Sequence, residues 1–382
     1  MFVKVYHSTF AAIFIMYTTM QGGVSMEKDI KDIEKIENIE KTTNSSTPSK
    51  KILVLFTGGT IGSTLSSDGI ISVAGDGRFE LIAAYRKAFG SDVSFECRQI
   101  LNILSENMLP ACWERIIEIL SNVDTSNYAG IILTHGSDTL AYTSALLGMY
   151  FRHIDIPLYI IAANKPIGSA GSNGLYNFSC AVKNILENKY AGVFTLYEKV
   201  YISTRLLPAD TCLDRFTAYG EDPHADFTVH KGINEKWLKQ PKEKLFRTPL
   251  KFEKNIMKID GYPAMDFSNY SLEGKPAAVL FSPYHSGTAC TETKFGDNYS
   301  FCRFIEKCLV NDIRVYICGI KKDQPMYDTL SKIIKTGCIP MYSISDVAAY
   351  MKLLIAYNQK EYYPSEVLKK NLYFEIVGEK IS

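Results

Sequence analysis

Short apolar runs that end in small or polar residues constrain the fold of this chain more than any other feature. From Lys51 onward such runs alternate with helical patterns, at ILVLF (52–56), GIILTHG (130–136), PLYIIAA (157–163) and GVFTLY (192–197). Continuous apolar strands that alternate with helices are typical of a parallel sheet covered by helices on both faces. We therefore predict an α/β fold, in which ligands bind outside the carboxyl ends of the strands.

The length of 382 residues predicts two domains rather than one. Residues 51–220 form the larger N-terminal domain, with a mostly parallel sheet flanked by helices. Residues 221–250 are rich in Lys, Pro, Asp and His without clear periodicity, so we assign them to an interdomain linker. Residues 251–382 then form a smaller α/β domain, with strands at 276–281 and 313–319.

Residues 1–50 are interpreted as an N-terminal extension with a linker, and their role has two open interpretations. Lys4 precedes an apolar stretch, and small residues precede a possible cleavage after Ser25, which is the layout of a secretory signal peptide. The alternative is an upstream extension with the working start at Met26. A secreted or periplasmic location follows from the first interpretation and a cytoplasmic one from the second.

The nine cysteines favour a reducing compartment, and hence the cytoplasmic location. An odd number cannot all pair within one chain, and Cys180, Cys308 and Cys318 lie in apolar, patterned segments, as buried free thiols do. No CxxC pair or Cys/His cluster has zinc-ligand spacing, so no metal and no other cofactor is expected. The net charge of +1 gives no field that favours nucleic acid or an anionic membrane as a partner.

Two segments at strand ends carry the residues for chemistry. In TGGTIG (57–62) the glycines allow a ligand close to the backbone, and Thr60 offers a hydroxyl nucleophile. In THGSDT (134–139) Asp138 can receive an ammonium group, and Ser137 can transfer a proton. Each also has a structural interpretation: the first as a tight turn, and the second as the N-cap of a helix, which is favoured when that segment is considered alone.

The order and spacing of these segments resemble the bacterial-type L-asparaginases (asparaginase/glutaminase family) over most of the chain after Lys51. Two further segments support the resemblance: LSENMLPACW (104–113) and SNGLYNFSCAV (172–182). The resemblance implies Thr60 as the nucleophile that attacks a side-chain amide. It also implies a homodimer or homotetramer, with an amino-acid amide as substrate and no cofactor.

Further roles are implied by position in the family pattern. Ser105, with the adjacent Glu106, matches the segment that holds the substrate α-carboxylate, and Asp138 matches the aspartate that holds the α-ammonium. Backbone N–H groups near Gly59 and Ser137 are expected to form an oxyanion hole. Ala163 lies where a backbone carbonyl lines the amide end of the pocket.

Three positions depart from the family pattern. Ser137 replaces the second catalytic threonine, Ile70 replaces the mobile-loop tyrosine, and Ala209 lies near the position of the lysine. No lysine occurs between Lys199 and Lys231, although Arg205 and Lys165 could supply charge nearby. Arginine stays protonated in proteins, so it does not replace lysine as a base.

The leading hypothesis is an L-asparaginase-like amidohydrolase that converts asparagine to aspartate and ammonia through Thr60, with reduced activity. One alternative is an inactive homologue that binds asparagine or aspartate as a sensor or regulatory subunit, which the lost tyrosine and lysine favour. Another is an ammonia-releasing amidotransferase subunit, although the short segment before Lys51 disfavours a partner-docking domain there. His135 is interpreted as structural, and YHSGTAC (284–290) as a turn.

Overall fold

The computed structural model describes residues 50–59, 61, 63–65, 71–73, 77–187, 190–220, 242–322 and 324–378. Within these residues the chain forms two mostly parallel sheets, each packed against helices. This arrangement confirms the prediction of an α/β fold built on two parallel sheets. No helix in the described part of the chain is long and apolar enough to cross a membrane.

The N-terminal sheet has six strands. They are β1 (Lys51–Gly58), β4 (Phe95–Ile103), β5 (Tyr128–Thr134), β6 (Pro157–Ile161), β7 (Gly192–Tyr197) and β8 (Lys199–Ile202). Their order is β4-β1-β5-β6-β7-β8, and all pairs are parallel except β7 with β8. A separate antiparallel pair joins β2 (Ser63–Leu65) to β3 (Ile71–Val73). β1 lies between β4 and β5 and is buried over nearly its whole length, which explains its continuous apolar sequence.

The described residues of this part contain four α-helices: α1 (Gly77–Phe89), α2 (Pro110–Ser121), α3 (Leu140–Tyr150) and α4 (Gly174–Glu187). α2 presents a single apolar face, on which Trp113, Ile116, Ile117 and Leu120 are buried. α3 is buried almost all round because it lies between the two sheets, against α7 (Asp346–Asn358) of the C-terminal part. Such a helix is apolar on every side, since it has no solvent-facing side.

The C-terminal sheet has four parallel strands in the order β12-β11-β10-β9. They are β9 (Ile256–Asp260), β10 (Ala278–Ser282), β11 (Arg314–Ile320) and β12 (Ile339–Tyr342). Its other helices are α5 (Phe301–Val310), α6 (Asp328–Lys335) and α8 (Pro364–Lys369). The segment 276–281, predicted as the first strand of this domain, is the second one, because β9 precedes it.

The segment after α8 returns to the N-terminal sheet and fastens the two parts together. The Tyr373 hydroxyl accepts a hydrogen bond from the Val193 N–H at 2.8 Å, and Arg205 Nε donates to the Phe374 carbonyl at 2.8 Å. The Glu375 carboxylate forms an ion pair of 2.9 Å with Lys352 of α7, and both side chains are fully buried. Residues 371–376 therefore pack on the sheet of the N-terminal part, although they lie within residues 251–382, which the sequence predicts as the C-terminal domain.

All nine cysteines are free thiols in the described residues. Cys308 and Cys318 are buried and Cys180 is half-buried, in agreement with their apolar sequence surroundings. Burial raises the pKa of the Cys180 thiol to about 11 and that of Cys318 to about 12, so neither is a reactive thiolate.

Candidate active site

Loops after β1, β4 and β5 meet at the carboxyl edge of the N-terminal sheet. β1 lies between the other two strands, because the chain adds β4 on one side of β1 and β5 on the other. The strand order thus reverses at β1, and the crevice outside the carboxyl ends at such a reversal is where open α/β sheets bind ligands. The two segments singled out in the sequence, after β1 and β5, both reach this crevice.

Two glycines allow these loops to approach each other closely. Gly59 has φ of +72°, and a Cβ added there would lie 2.5 Å from the Gly136 nitrogen. A Cβ added to Gly136 would lie 2.5 Å from Ser105 Oγ. Real Cβ atoms do not approach other atoms this closely, so both positions require glycine, and the three loops form one tightly packed edge.

Ser105 and Asp138 form the polar centre of this edge. Ser105 is buried and begins a short 3-10 turn, and its hydroxyl donates to Asp138 Oδ2 at 3.3 Å. The same Oγ accepts the Asp138 backbone N–H at 3.2 Å. The Asp138 residue is exposed, so its carboxylate faces solvent at the crevice. The structure therefore brings together the two residues that the resemblance assigns to the α-carboxylate and the α-ammonium.

The N-cap interpretation of the 134–139 segment is wrong. Thr139 occupies the N-cap position of α3 but makes no side-chain capping hydrogen bond. Its Oγ1 instead donates to the Ser105 carbonyl at 2.9 Å. Both Asp138 and Thr139 thus bond across to the loop after β4, and Thr139 holds the turn that carries Ser105. Sequence reasoning did not assign Thr139 this role, because the contact joins residues 34 positions apart.

His135 lies beneath this edge as a neutral, buried side chain. Its Nδ1 lies 2.8 Å from the Gly136 carbonyl oxygen, and its Nε2 has no hydrogen-bond partner in the described residues. Burial lowers the pKa of His135 to about 4, while the Gly136 carbonyl and the Asp138 charge act in the opposite direction. The side chain is completely buried, which agrees with its interpretation as a structural residue.

The remaining expected site residues have different surroundings. Thr60 lies outside the described residues, as does Ile70. Ser137 is half-buried and Glu106 is exposed on the turn that begins at Ser105. Ala163 is buried just beyond β6. A Cβ added to Gly174 would lie 3.1 Å from the Cβ of Ala163. The start of α4 therefore packs directly on Ala163.

The Gly59 N–H, beside the expected oxyanion hole, is already used. It donates to the Ile103 carbonyl at 2.8 Å, which joins Gly59 to the end of β4. The oxyanion hole expected from backbone N–H groups near Gly59 and Ser137 stays a prediction. Thr57 strengthens the other side of the loop, because its Oγ1 donates to the Thr134 carbonyl at 2.7 Å. Thr57 at the end of β1 and the following Gly59 are thus bonded to the neighbouring strands on both sides.

The charged residues considered as substitutes for the lysine have other contacts. Arg205 is buried, and its Nε donates to the Phe374 carbonyl, so its role is to hold the C-terminal segment. Lys165 is exposed, with Nζ 3.4 Å from the Ala170 carbonyl oxygen, and its charge opposes the rise in the pKa of Asp214 that burial causes. Ala209 is a partly buried residue packed against the core.

The edge therefore presents a hydroxyl and a carboxylate next to each other on closely packed backbone. In the described residues no group of His, Cys, Asp and Glu side chains could hold a metal ion. Hydrogen bonding and charge are the means of recognition that these side chains supply.

Comparison with known protein families gives a match to the N-terminal domain of asparaginases over residues 51–233. An L-asparaginase of Thermococcus kodakarensis is 31% identical over 157 residues, which cover 41% of this chain and 47% of that protein. A glutamyl-tRNA(Gln) amidotransferase subunit of Methanococcus maripaludis is 24% identical over 348 residues, 86% of this chain and 81% of that protein. The chain thus spans about half of the first relative and most of the second.

Solved structures show the same fold over a larger share of the chain. The thermostable L-asparaginase of Thermococcus kodakarensis has a TM-score of 0.66 at 22% identity, covering 86% of this chain and all of that one. L-asparaginase I of Vibrio cholerae has a TM-score of 0.68 at 20% identity, with the same coverage. Residues 51–233 are therefore similar to the N-terminal domain of asparaginases, and the solved structures show the L-asparaginase fold over most of the chain.

Proposed function

We propose that the chain binds asparagine at the Ser105–Asp138 edge and hydrolyses it to aspartate and ammonia, with reduced activity. The observation that carries the proposal is the 3.3 Å contact between the Ser105 hydroxyl and the Asp138 carboxylate, on loops that follow β4 and β5. An α-amino acid presents a carboxylate to the hydroxyl and an ammonium to Asp138. The Ser105–Asp138 hydrogen bond of the free protein is then replaced by bonds to the ligand.

In the proposed reaction the Thr60 hydroxyl oxygen bonds to the amide carbon, and ammonia leaves with the proton that the hydroxyl loses. Water then hydrolyses the resulting ester, which releases aspartate and restores Thr60. The proton transfers need a base, and Ala209 supplies none where the family has lysine. Loss of a positioned base lowers rates by about 10²–10⁴-fold, which is why we expect slow turnover. Fully buried His135 is too enclosed to take this part.

A second candidate is an ammonia-releasing amidotransferase subunit. It is favoured by relatives that are named as subunits of a glutamyl-tRNA(Gln) amidotransferase, one of which matches 88% of this chain. Under this hypothesis the ammonia passes to a partner enzyme rather than to solvent. Slow release by the isolated chain that a partner accelerates would support it, whereas a rate independent of any partner supports the first candidate.

The third candidate is a non-catalytic binder of asparagine or aspartate, as a sensor or regulatory subunit. Ala209 favours it, because recognition through Ser105 and Asp138 needs no base. The homodimer or homotetramer expected from the family belongs to all three proposals. Light scattering of the full chain measures that mass directly.

The test measures ammonia release and ligand affinity of the full chain with asparagine, glutamine and aspartate. Thr60→Ala should abolish release and retain binding. Asp138→Asn should weaken binding about 10–100-fold, because a charged hydrogen bond contributes about 1.5–3 kcal/mol. Asp124→Asn is the matched control, since Asp124 accepts from Ser126 Oγ at 2.7 Å in a similar exposed pair that precedes β5.

The outcomes separate the candidates. Release that Thr60→Ala removes supports the hydrolase. Binding without release in wild type and Thr60→Ala alike supports the non-catalytic binder. If Asp138→Asn binds as tightly as Asp124→Asn, the amino-acid site is not at this edge and all three proposals fail.

A further inference from the structure

A cavity of about 450 Å³ opens at the carboxyl edge of the C-terminal sheet. Gly261, directly after β9, and Phe281 of β10 line it, together with residues from the loop that follows β10. This volume lies in the range of small-molecule sites, and the carboxyl ends of parallel strands are where such sites form. The cavity belongs to a different sheet from the Ser105–Asp138 edge.

Aromatic side chains dominate the opening of this cavity. Tyr262, Tyr284, Phe295 and Tyr299 line it, and the first three are 46%, 38% and 77% exposed. Large aromatic residues normally bury their rings in a core or an interface, so several exposed ones around one cavity mark a binding surface. Two backbone hydrogen bonds hold the turn that carries Tyr284. The Gly287 N–H donates to the Tyr284 carbonyl at 2.8 Å, and the Tyr284 N–H donates to the Thr288 carbonyl at 3.0 Å.

The charge of the lining selects the ligand. Among the described residues that line the cavity, Glu292 is the one charged residue. Lys294 Nζ lies 4.9 Å from the centre of the Phe295 ring, so this ring already contacts a cation of the chain, and Tyr262, Tyr284 and Tyr299 are the rings left for a ligand. Aromatic faces and a carboxylate both favour positive charge, and both disfavour a carboxylate ligand.

We propose that this cavity binds an organic cation with an apolar body, such as an arylalkylamine. The apolar body contacts Phe281 and the aromatic rim, and the ammonium group lies between the rings and Glu292. A smaller cavity of about 250 Å³ beside β12 does not offer this chemistry, because its charged lining residues, Arg314, Lys352 and Lys369, are all basic.

Cys290 provides a direct readout. It is exposed, lines the cavity and is a free thiol, so a ligand in the cavity shields it from alkylation. The experiment measures iodoacetamide alkylation of the full chain by peptide mass spectrometry, with phenethylamine as the probe. Exposed Cys212, in the N-terminal part, is the internal control. Phenylpropionate has a similar size and the opposite charge, so it tests the sign of the recognition.

Phenethylamine should slow the alkylation of Cys290 in a saturable manner and leave Cys212 unchanged, whereas phenylpropionate should not protect. Glu292→Gln and Tyr284→Leu should each raise the half-protecting concentration roughly 2–30-fold, the range expected for one cation–π or charge contact. Tyr363→Leu removes a tyrosine that is 78% exposed at α8 and should have no effect.

Three results would overturn the proposal. One is no protection by phenethylamine, and another is equal protection by phenylpropionate. The third is protection of Cys290 that rises with protein concentration without ligand, which assigns the cavity to contact with a second copy of the chain.

Discussion

The carboxyl edges of the two sheets have the same strand geometry but different side chains, polar at one edge and aromatic at the other. In each, loops leave the ends of parallel strands, and each edge includes a glycine with φ of +72°, Gly59 in one and Gly287 in the other. The N-terminal edge is closed and polar around Ser105 and Asp138. The C-terminal edge is open and aromatic around Tyr262 and Tyr284.

What differs is the space around the glycine. A Cβ on Gly59 would meet the Gly136 backbone at 2.5 Å, whereas a Cβ on Gly287 would meet the Ile320 side chain at 3.6 Å. Loops that touch through backbone fix polar groups at short distances, and loops kept apart by large side chains leave a cavity. Parallel-sheet topology therefore decides where a site lies, and the size of the loop residues decides which kind of site it is.

The buried ion pair that links both parts should give the largest effect. Lys352 and Glu375 lie 2.9 Å apart with fully buried side chains, and the Glu375 carboxylate also accepts the Leu372 and Tyr373 N–H groups. Glu375→Gln leaves Lys352 buried without its counter-charge, so we expect a loss of about 3–5 kcal/mol in the free energy of unfolding. Urea unfolding measures this loss.

Asp328→Asn is the control for this ion pair. Asp328 also lies 2.9 Å from a lysine, Lys332, but their side chains are 78% and 52% exposed. We expect a much smaller loss there, because exposed ion pairs contribute little to stability. If the two variants lose equal stability, the C-terminal segment does not join the two parts of the chain into one cooperative unit.

The acid sensitivity of the N-terminal edge should come next. Burial lowers the pKa of His135 from an ordinary value of 6.5 to about 4, so the folded protein favours the neutral ring. The contribution of neutral His135 to the free energy of unfolding is complete above pH 6.5, and it is lost as the pH falls towards about 4. The total loss is about 3 kcal/mol, at 1.36 kcal/mol for each pKa unit.

Unfolding curves between pH 7 and pH 4 test the role of His135. His135→Gln should flatten the decline of stability with falling pH, whatever its effect at pH 7. His153, whose pKa burial also lowers to about 4, remains in both proteins and contributes equally to their curves. An unchanged slope in His135→Gln would contradict the assignment.

The two glycines with equal φ give the third test. Alanine at either position costs about 1–2 kcal/mol for the left-handed backbone. Gly59→Ala adds the clash with Gly136, so it should cost about 1–3 kcal/mol more than Gly287→Ala. Denaturant unfolding of both variants measures the difference. Equal losses would show that the contact between the loops after β1 and β5 is not needed for the N-terminal edge.

The sequence predicted the parts of the fold whose signal is local. Strands β1, β5, β6 and β7 are buried along nearly their whole length, so they read as uninterrupted apolar runs. β4 was missed because it is an edge strand of its sheet, and all nine residues of its sequence FECRQILNI are exposed or half-buried. Such a strand has a mixed sequence without a continuous apolar run.

The candidate site was predictable to the same extent. Glycines and polar residues at the ends of β1 and β5 identified the edge, and the family resemblance supplied Ser105 from β4. The contacts that build it were not predictable, because Gly59, Gly136 and Ser105 meet only after the strands are ordered. The use of the Gly59 N–H by Ile103 is a consequence of that packing.

The smallest expected effect is the loss of one threonine hydroxyl, which we compare at the N-terminal edge and at an exposed helix end. Thr139 Oγ1 donates to the Ser105 carbonyl and Thr336 Oγ1 donates to the Lys332 carbonyl, both at 2.9 Å, but the second bond is exposed to solvent. Thr139→Val should lower the free energy of unfolding by about 1 kcal/mol, the net contribution of a protein hydrogen bond. Thr336→Val should cost less, because water replaces the lost partner.

Under the proposed function Thr139→Val should also weaken asparagine binding, because the turn that carries Ser105 loses the hydrogen bond that holds it. Thr139→Ser should retain wild-type affinity. Calorimetric titration of the three variants measures this directly, and equal affinity in Thr139→Val and Thr336→Val would show that Ser105 is positioned by its bonds to Asp138 alone.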